Sequence, residues 1–491
     1  MNSRLSALLI PLGALTVVAL LFLAERRPAL FTNTTYLGAI LALQVVLLGL
    51  SRFEVIFFPL LMGTFLWAGS SLPFSAVGSS LRWLLLAAGA LGGFVIWIKS
   101  PRSRHFGAFH LIAVFCVIAA LVSSLVSETP RISLLKVGSL FLMFLYGASG
   151  ARVAIAGREA KFIAGLVLAC EALVYLSAIS QFALGFSTFG NPNALGAIIS
   201  VAAVPVLLWA ALVAETRGLR QRRFVALAVC GVLLYSVNAR AALLAAAAVI
   251  VMFTVAVRHQ RLLMQSAFVC VFFVTVMAVF NPTHIDEMAS SLAGRVIFKK
   301  EGIHNGILGS RLSPWSDTLT VVKRHPWFGS GFGTSELGEM RPQRDGSSVY
   351  TVEGTNREHG NSYLAMAEYM GLLGAVPFVA LLFMLVQVLF RTCRWMRRTG
   401  SPYHFSIPFA LIAIAGLVHA GFEDWLFAVG SYLCLFFWAA AFILVDLAPP
   451  RLEAGAGLAT SRFVGAAQAQ NTIGLPAHAR AMLEREGLRV R

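Results

Sequence analysis

The side chains able to do chemistry in this sequence stand where apolar runs meet polar stretches. Arg240, in NARAALLA, opens an apolar run, and an arginine there is costly unless it faces protein, water or phosphate. Arg311 lies in the polar stretch GSRLSPW. A guanidinium offers a planar fork that grips carboxylate or phosphate oxygens in pairs, so both residues suit an anionic group near a membrane surface. The plain alternatives are an Arg240 that snorkels to lipid headgroups and an Arg311 that is a solvated loop charge. His359, in REHGNSYL, precedes another apolar run, and an imidazole exchanges a proton near neutral pH. Its alternative is capping or packing, and His325, before Pro326, and His419 are rivals for the base. Glu423 and Asp424, in HAGFEDWLF, would orient a histidine or pair with Arg240, or serve only as acids favoured by a helix dipole. Glu171 sits mid-run, where an ionisable group calls for a partner, and Lys136 is the candidate. The outer polar stretches hold no His, Cys, Asp and Glu set at metal spacing, so EDTA should leave the chemistry intact; activity restored only by a divalent ion would contradict this.

The elements that position these residues are membrane helices. With 58% hydrophobic and 12% charged residues over 491 positions, a soluble chain would lack polar surface to cover itself. The apolar runs show no period-two alternation, which favours helices over a barrel, and a spanning helix needs about 20 such residues. About 14 runs stand out, at 5–24, 36–50, 54–70, 81–98, 107–126, 131–149, 162–184, 193–213, 223–237, 240–257, 261–280, 363–390, 404–420 and 424–446. The expected fold is an all-α polytopic bundle of about 12–14 transmembrane helices. Its organisation is about 11 helices over 1–280, one large external loop over 281–361, about three helices over 362–447, and a cytoplasmic tail over 448–491. The net charge of +17 does not point to nucleic acid, because Lys and Arg cluster in short loops such as KSPRSRH, TRGLRQRR and RTCRWMRR. Those loops read as cytoplasmic, which puts both termini inside and the 281–361 segment outside, in the periplasm of a Gram-negative cell. All six cysteines lie in or beside apolar runs and make no disulfide framework.

Within the external segment, Leu312, Trp315, Leu319 and Val322 recur at helical spacing and predict a short amphipathic helix over Arg311–His325, stopped before Pro326. Gly329, Gly331 and Gly333 then allow a tight turn or a close backbone approach to a ligand. Arg341, Arg344 and Arg357 read as solvated charges. In the tail, His478–Leu488 reads as a basic amphipathic segment.

Taken together, GSRLSPWSDTLTVVKRHPWFGSGFG and EHGNSYLAMAEYMGLLG resemble the O-antigen ligase/polymerase superfamily, whose members move glycans off a polyprenyl diphosphate carrier. The spacing from Asn361 to Gly371 and Gly374 fits the family motif. Here Gly360 stands directly before the Asn, where the family has a His, so His359 is displaced by one. Arg240 matches the arginine of a family motif opening its helix, Asn191-Pro192-Asn193 matches another feature, and the Glu423-Asp424 stretch resembles exopolysaccharide-type members. The resemblance implies a GT-C-like, metal-independent, inverting glycosyltransferase of the inner membrane that needs no cofactor. On it, Arg240 and Arg311 hold the diphosphate of a polyprenyl-diphosphate-linked oligosaccharide, His359 deprotonates the acceptor hydroxyl, and Asn361, Glu423 and Asn193 contact substrate. The acceptor is a second lipid-linked repeat in a polysaccharide polymerase, lipid A-core in an O-antigen ligase, or a protein hydroxyl in an oligosaccharyltransferase. Membrane lipid and other polysaccharide-assembly proteins are the expected partners. A transporter or flippase is the competing class; it would more naturally show inverted repeats with helices broken at midplane.

Overall fold

A computed structural model describes residues 34–99, 106–258, 309–335, 340–342, 348–350 and 359–449, with isolated positions between 15 and 26. The expected runs at 5–24 and 261–280, the segment His478–Leu488, and Arg344 and Arg357 lie outside the described residues. Helices in chain order are α1 Thr34–Ser51, α2 Phe58–Ala68, α3 Ser75–Lys99, α4 Ala108–Leu125, α5 Pro130–Tyr146, α6 Glu159–Ala178, α7 Pro192–Ile198, α8 Val204–Leu212, α9 Arg217–Val237, α10 Arg240–Ala256, α11 Gly309–Arg324, α12 Ser362–Thr399, α13 Ser406–Ala420 and α14 Tyr432–Leu447. The described residues form an all-α bundle apart from one small hairpin, Met340–Pro342 paired antiparallel with Ser348–Tyr350.

Among the described residues six helical stretches are long and apolar enough to cross a membrane: Ser75–Lys99, Ala108–Leu125, Pro130–Ile155, Glu159–Ala183, Pro192–Leu212 and Ser362–Thr399. Three shorter apolar helices among the described residues, α10, α13 and α14, pack with them. Two runs expected as separate spans, 36–50 and 54–70, instead form one pair bent by 117° at Arg52, a broken span or a re-entrant loop. The chain is a multi-pass membrane protein. Its interior holds α13 and α14, buried along almost their whole length, whereas α3, α4 and α12 expose a row of large apolar side chains to surrounding lipid.

Small residues let these helices approach. A Cβ on Gly93 would lie 2.5 Å from the Gly150 backbone, and one on Gly196 would lie 2.7 Å from the Ala239 side chain. Close helix approach through small residues is the usual packing device in lipid, where burying apolar surface gives little drive. Glu171 does not meet Lys136. It pairs with Arg222 on the neighbouring α9, its own side chain 5% exposed and that of Arg222 52% exposed, so the carboxylate stays inside while the guanidinium reaches out.

The stretch that carries the site rests on a break in α12. Gly371 has φ +59° and ψ −169°, a conformation essentially closed to residues with a side chain. The break frees backbone groups, and the Gly-rich loop after α11 takes them up: Leu372 N–H donates to Pro326 O (2.7 Å), Ser330 N–H to Glu368 O (2.9 Å) and Gly331 N–H to Tyr369 O (3.1 Å). The close approach expected of the loop glycines is thus made to another backbone, since a Cβ on Gly329 would lie 2.4 Å from Met370 N and one on Gly371 2.5 Å from the Trp327 carbonyl carbon. Ser133 of α5 and Ser127 in the turn before it hold the loop from the other side, with Ser127 Oγ donating to Ser330 O and Ser133 Oγ to Phe332 O. Gly371→Ala should therefore detach loop from helix and lower the thermal midpoint in detergent by several degrees, on the order of 1–3 kcal/mol of strain before the clash is counted. Unchanged stability and activity would show the break to be dispensable.

Candidate active site

The amphipathic helix forms as expected, but turned about its axis. Trp315, Thr318 and Val321 face inward, while Leu312 and Leu319 are exposed, joined by exposed Trp327 and Phe328 just after the helix. An apolar edge of this kind on a short surface helix suits the headgroup boundary of a bilayer. On its inner side Trp315 Nε1 donates to Gly360 O (3.2 Å), which ties α11 to the start of α12.

Three tethers meet at that start. Asn361 is the N-cap of α12, its Oδ1 accepting from Tyr363 and Leu364 N–H (2.9 and 3.2 Å). Ser362 Oγ donates to Glu423 O (2.6 Å) and accepts from Leu426 N–H (3.1 Å), which docks the 421–431 turn. Gly360 sits at φ +63°, and a Cβ there would lie 2.7 Å from Arg311 Nη1. A glycine is required both by the left-handed backbone and by the guanidinium against it. That turn aims the preceding residue, His359, into the protein.

His359 is fully buried between two carboxylates. Its Nδ1 lies 3.1 Å from Asp424 Oδ2, its own backbone N–H donates to the same oxygen (2.9 Å), and its Nε2 lies 3.3 Å from Glu368 Oε2 in an ion-pair contact. Burial alone would lower the imidazole pKa, but hydrogen bonding and charge from Asp424 and Glu368 win and raise it to about 9. The ring is therefore an imidazolium at neutral pH. Asp424 responds in the opposite sense: burial would raise it, yet the hydrogen bonds from His359 hold it below the usual carboxylate range. Of the three groups only Asp424 has accessible surface, at 23%, while His359 and Glu368 have none.

Beside this triad, Arg311 Nη2 is paired with Glu423. The adjacent carboxylates of the Glu-Asp dipeptide thus divide their work, one on a guanidinium and one on an imidazolium. The second arginine expected on the diphosphate is Arg240. That residue opens α10, half-buried, directly after Asn238 in the left-handed conformation (φ +50°). Its helix packs on α13, which ends at the same turn. Asn193 stands at the head of α7, where Asn191 caps by accepting from Asn193 N–H (2.9 Å) and Pro192 fits the first turn. The next residue, Ala194, accepts a hydrogen bond from Tyr432 Oη (2.9 Å), so this head too abuts the 421–432 segment. His419 Nδ1 accepts from Trp425 Nε1 (2.8 Å), which leaves its other nitrogen as the N–H of a neutral ring and removes it as a base. His325, half-buried, follows α11 on its far side from Arg311.

Residues 224–379 match the O-antigen ligase family model. Over these residues the chain is similar to the O-antigen ligase/polymerase superfamily. The O-antigen ligase match spans about a third of the chain and takes in Arg240, Arg311, His359, Asn361, Gly371 and Gly374; it ends before Glu423 and Asp424. No curated protein matches the sequence. Sequence reasoning missed Glu368, whose signal was present: a carboxylate inside an apolar run is as costly there as Glu171 is in its own. Among the described residues no group of three or more His, Cys, Asp and Glu is arranged to hold a metal ion.

Proposed function

We propose that this protein transfers a glycan from a polyprenyl-diphosphate-linked donor to an acceptor hydroxyl at the outer face of the inner membrane, in the assembly of a surface polysaccharide. The observation that carries this reading is the buried Asp424–His359–Glu368 triad beside the Arg311–Glu423 pair, all brought together by motif residues of the family.

A diphosphate is a good leaving group, so the reaction asks for two things: cations for the departing charge, and a base for the acceptor proton. Arg311 supplies a cation when diphosphate oxygens replace the Glu423 carboxylate on its fork, and Arg240 supplies another from the head of α10. The acceptor oxygen attacks the anomeric carbon as the bond to the diphosphate oxygen breaks, which inverts that centre and releases polyprenyl diphosphate. The proton enters the triad at Asp424, the one member with accessible surface, and the triad as a unit passes from one net negative charge to none. His359 acts by holding and charging Asp424 and by relaying the proton toward Glu368. Asp424 is a weak base, which suffices where bond breaking runs ahead of attack and the acceptor proton becomes acidic late. Asn361 acts by capping α12 at the rim of the site, and Asn193 stands in the first turn of α7, held by the Asn191 cap.

The Phe422-Glu423-Asp424-Trp425 stretch favours a second lipid-linked repeat as acceptor, hence a polymerase, over lipid A-core or a protein hydroxyl. In the proposed topology both termini are cytoplasmic and the 281–361 loop is external; alkaline phosphatase fused after Gly309 should be active and fused after Arg398 inactive, and the reverse pattern would put the triad on the wrong side for this donor. Glycan transfer by the purified chain in detergent, where no compartments exist, tests the reaction itself: transfer excludes pure transport, and its absence with an intact lipid-linked oligosaccharide would contradict the reading.

A further inference from the structure

A cavity of about 1210 Å³ opens between α3 and α5, under the 424–431 turn, with Asp424 on its border. Two cations line it, Arg82 from α3 and Lys136 from α5. Arg82 Nη1 donates to Gly430 O (2.8 Å), and the guanidinium lies over Trp83 and Phe65, 5.0 and 5.8 Å from their ring centroids. Its Nε is buried without a hydrogen-bond partner, and no carboxylate among the described residues pairs with it. Arg152, Arg222 and Arg311 differ in this respect, each resting on Asp446, Glu171 or Glu423. An arginine within an apolar helix is costly, and a backbone carbonyl with two rings orients the charge without neutralising it. Lys136 Nζ is aimed by Gly333 O, in the loop that the α12 break holds in place.

Much of the α5 wall is hydrocarbon: Leu134, Leu135, Phe141 and Leu142 line the cavity there. Leu135 is 75% and Phe141 48% exposed, so this wall continues onto the lipid-facing surface and does not close over the cavity. Cations at the end of the cavity bordering the triad, with an apolar side open to the bilayer, fit an amphiphile that has a phosphate head and a hydrocarbon chain.

Building on the glycosyl transfer reading, we propose that this cavity seats the diphosphate and first isoprene units of a lipid-linked substrate, with Arg82 and Lys136 on the phosphate oxygens and the α5 wall along the chain. Donor and lipid-linked acceptor share this head and tail. Whichever is seated here, its glycan lies toward Asp424, and Arg82 adds a cation to the site that the family motifs do not contain.

The test uses the purified full chain in detergent and saturable binding of a radiolabelled long-chain polyprenyl diphosphate, with the corresponding uncharged polyprenol as the comparison. Replacing both cations (Arg82→Gln with Lys136→Gln) should weaken diphosphate binding roughly tenfold to a hundredfold, the worth of hydrogen bonds to a charged group, and leave polyprenol binding unchanged. Gly138 also lines the cavity, and a Cβ built there meets nothing within 4 Å, so Gly138→Phe starts its ring from open space and should weaken binding of both lipids. Should the double variant fail to fold, Gly138→Phe decides alone. In steady-state transfer, a raised donor KM assigns the cavity to the donor and a raised acceptor KM assigns it to the lipid-linked acceptor; both support it. Transfer with both KM values and binding unaltered in Gly138→Phe overturns the cavity and leaves the reaction standing. Diphosphate binding that depends on Arg82, in a chain that transfers no glycan, keeps the cavity and overturns the reaction.

Discussion

Asp424→Asn should lower glycan transfer by about 100-fold to 10,000-fold, the usual worth of general base catalysis, while donor binding persists. The amide keeps the shape and an oxygen toward the His359 N–H groups but cannot take a proton. It also removes one of the two charges that hold the imidazolium, so the ring pKa drops toward its ordinary value. His359→Ala should lose a comparable amount, with lost stability in addition, because the buried Glu368 then loses the imidazolium beside it. His325→Ala and His419→Ala should stay near normal in turnover, since neither belongs to the triad. Collapse in one of these, with near-normal turnover in His359→Ala, would move the base elsewhere. The wild-type pH profile carries the same information. The folded pKa of His359 lies above its ordinary 6.5, at about 9, so the group stabilises the folded state fully below pH 6.5 and that contribution is lost as pH rises through about 9. Both the thermal midpoint in detergent and the rate should decline on that alkaline limb. A rate that climbs through pH 9 would instead identify a neutral His359 as the proton acceptor.

The second large effect is expected at the arginines. Arg311→Lys keeps the charge and loses the planar fork that pairs with Glu423 and packs against the turn at Gly360, so transfer should fall at least tenfold despite the conservative look of the change. Gly360→Ala should mimic it, because the added methyl claims the space of the guanidinium and the residue must adopt a left-handed backbone. Arg240→Lys separates two roles: a residue gripping diphosphate loses most of its activity, whereas one that snorkels to headgroups tolerates lysine. Wild-type rates in both Lys variants would remove the arginines from the donor site.

Much of this arrangement was legible in the sequence because it depends on local chemistry. The surface helix followed from the spacing of its apolar residues, the cap at Asn361 from an Asn before an apolar run, and the pairing of one carboxylate of Glu423-Asp424 with a histidine from their neighbourhood. What was hidden depends on contacts between distant segments. The one-residue displacement of His359 becomes intelligible only with Gly360 in the left-handed conformation, which turns the histidine inward to Asp424. Lys136 and Glu171 lie in neighbouring spans by sequence, yet Lys136 is drawn to the Gly333 loop and Glu171 to Arg222. The rotation of the amphipathic helix escaped because a periodicity fixes which residues share a face, not which way that face turns when a lipid surface competes with the protein for it. Glu368 and Arg82 carried the same signal as Glu171, a charge within an apolar run, and became informative once the three-dimensional neighbours were known.

The most direct measurement is a product analysis of the purified chain given a lipid-linked oligosaccharide of known anomeric configuration in detergent with EDTA. Released polyprenyl diphosphate and the new glycosidic bond would be quantified together, and the bond's configuration read by NMR. The proposed chemistry predicts one polyprenyl diphosphate for each bond formed, inversion at the transferred anomeric carbon, and loss of both products in Asp424→Asn. Retention of configuration, or full activity in Asp424→Asn, would contradict it.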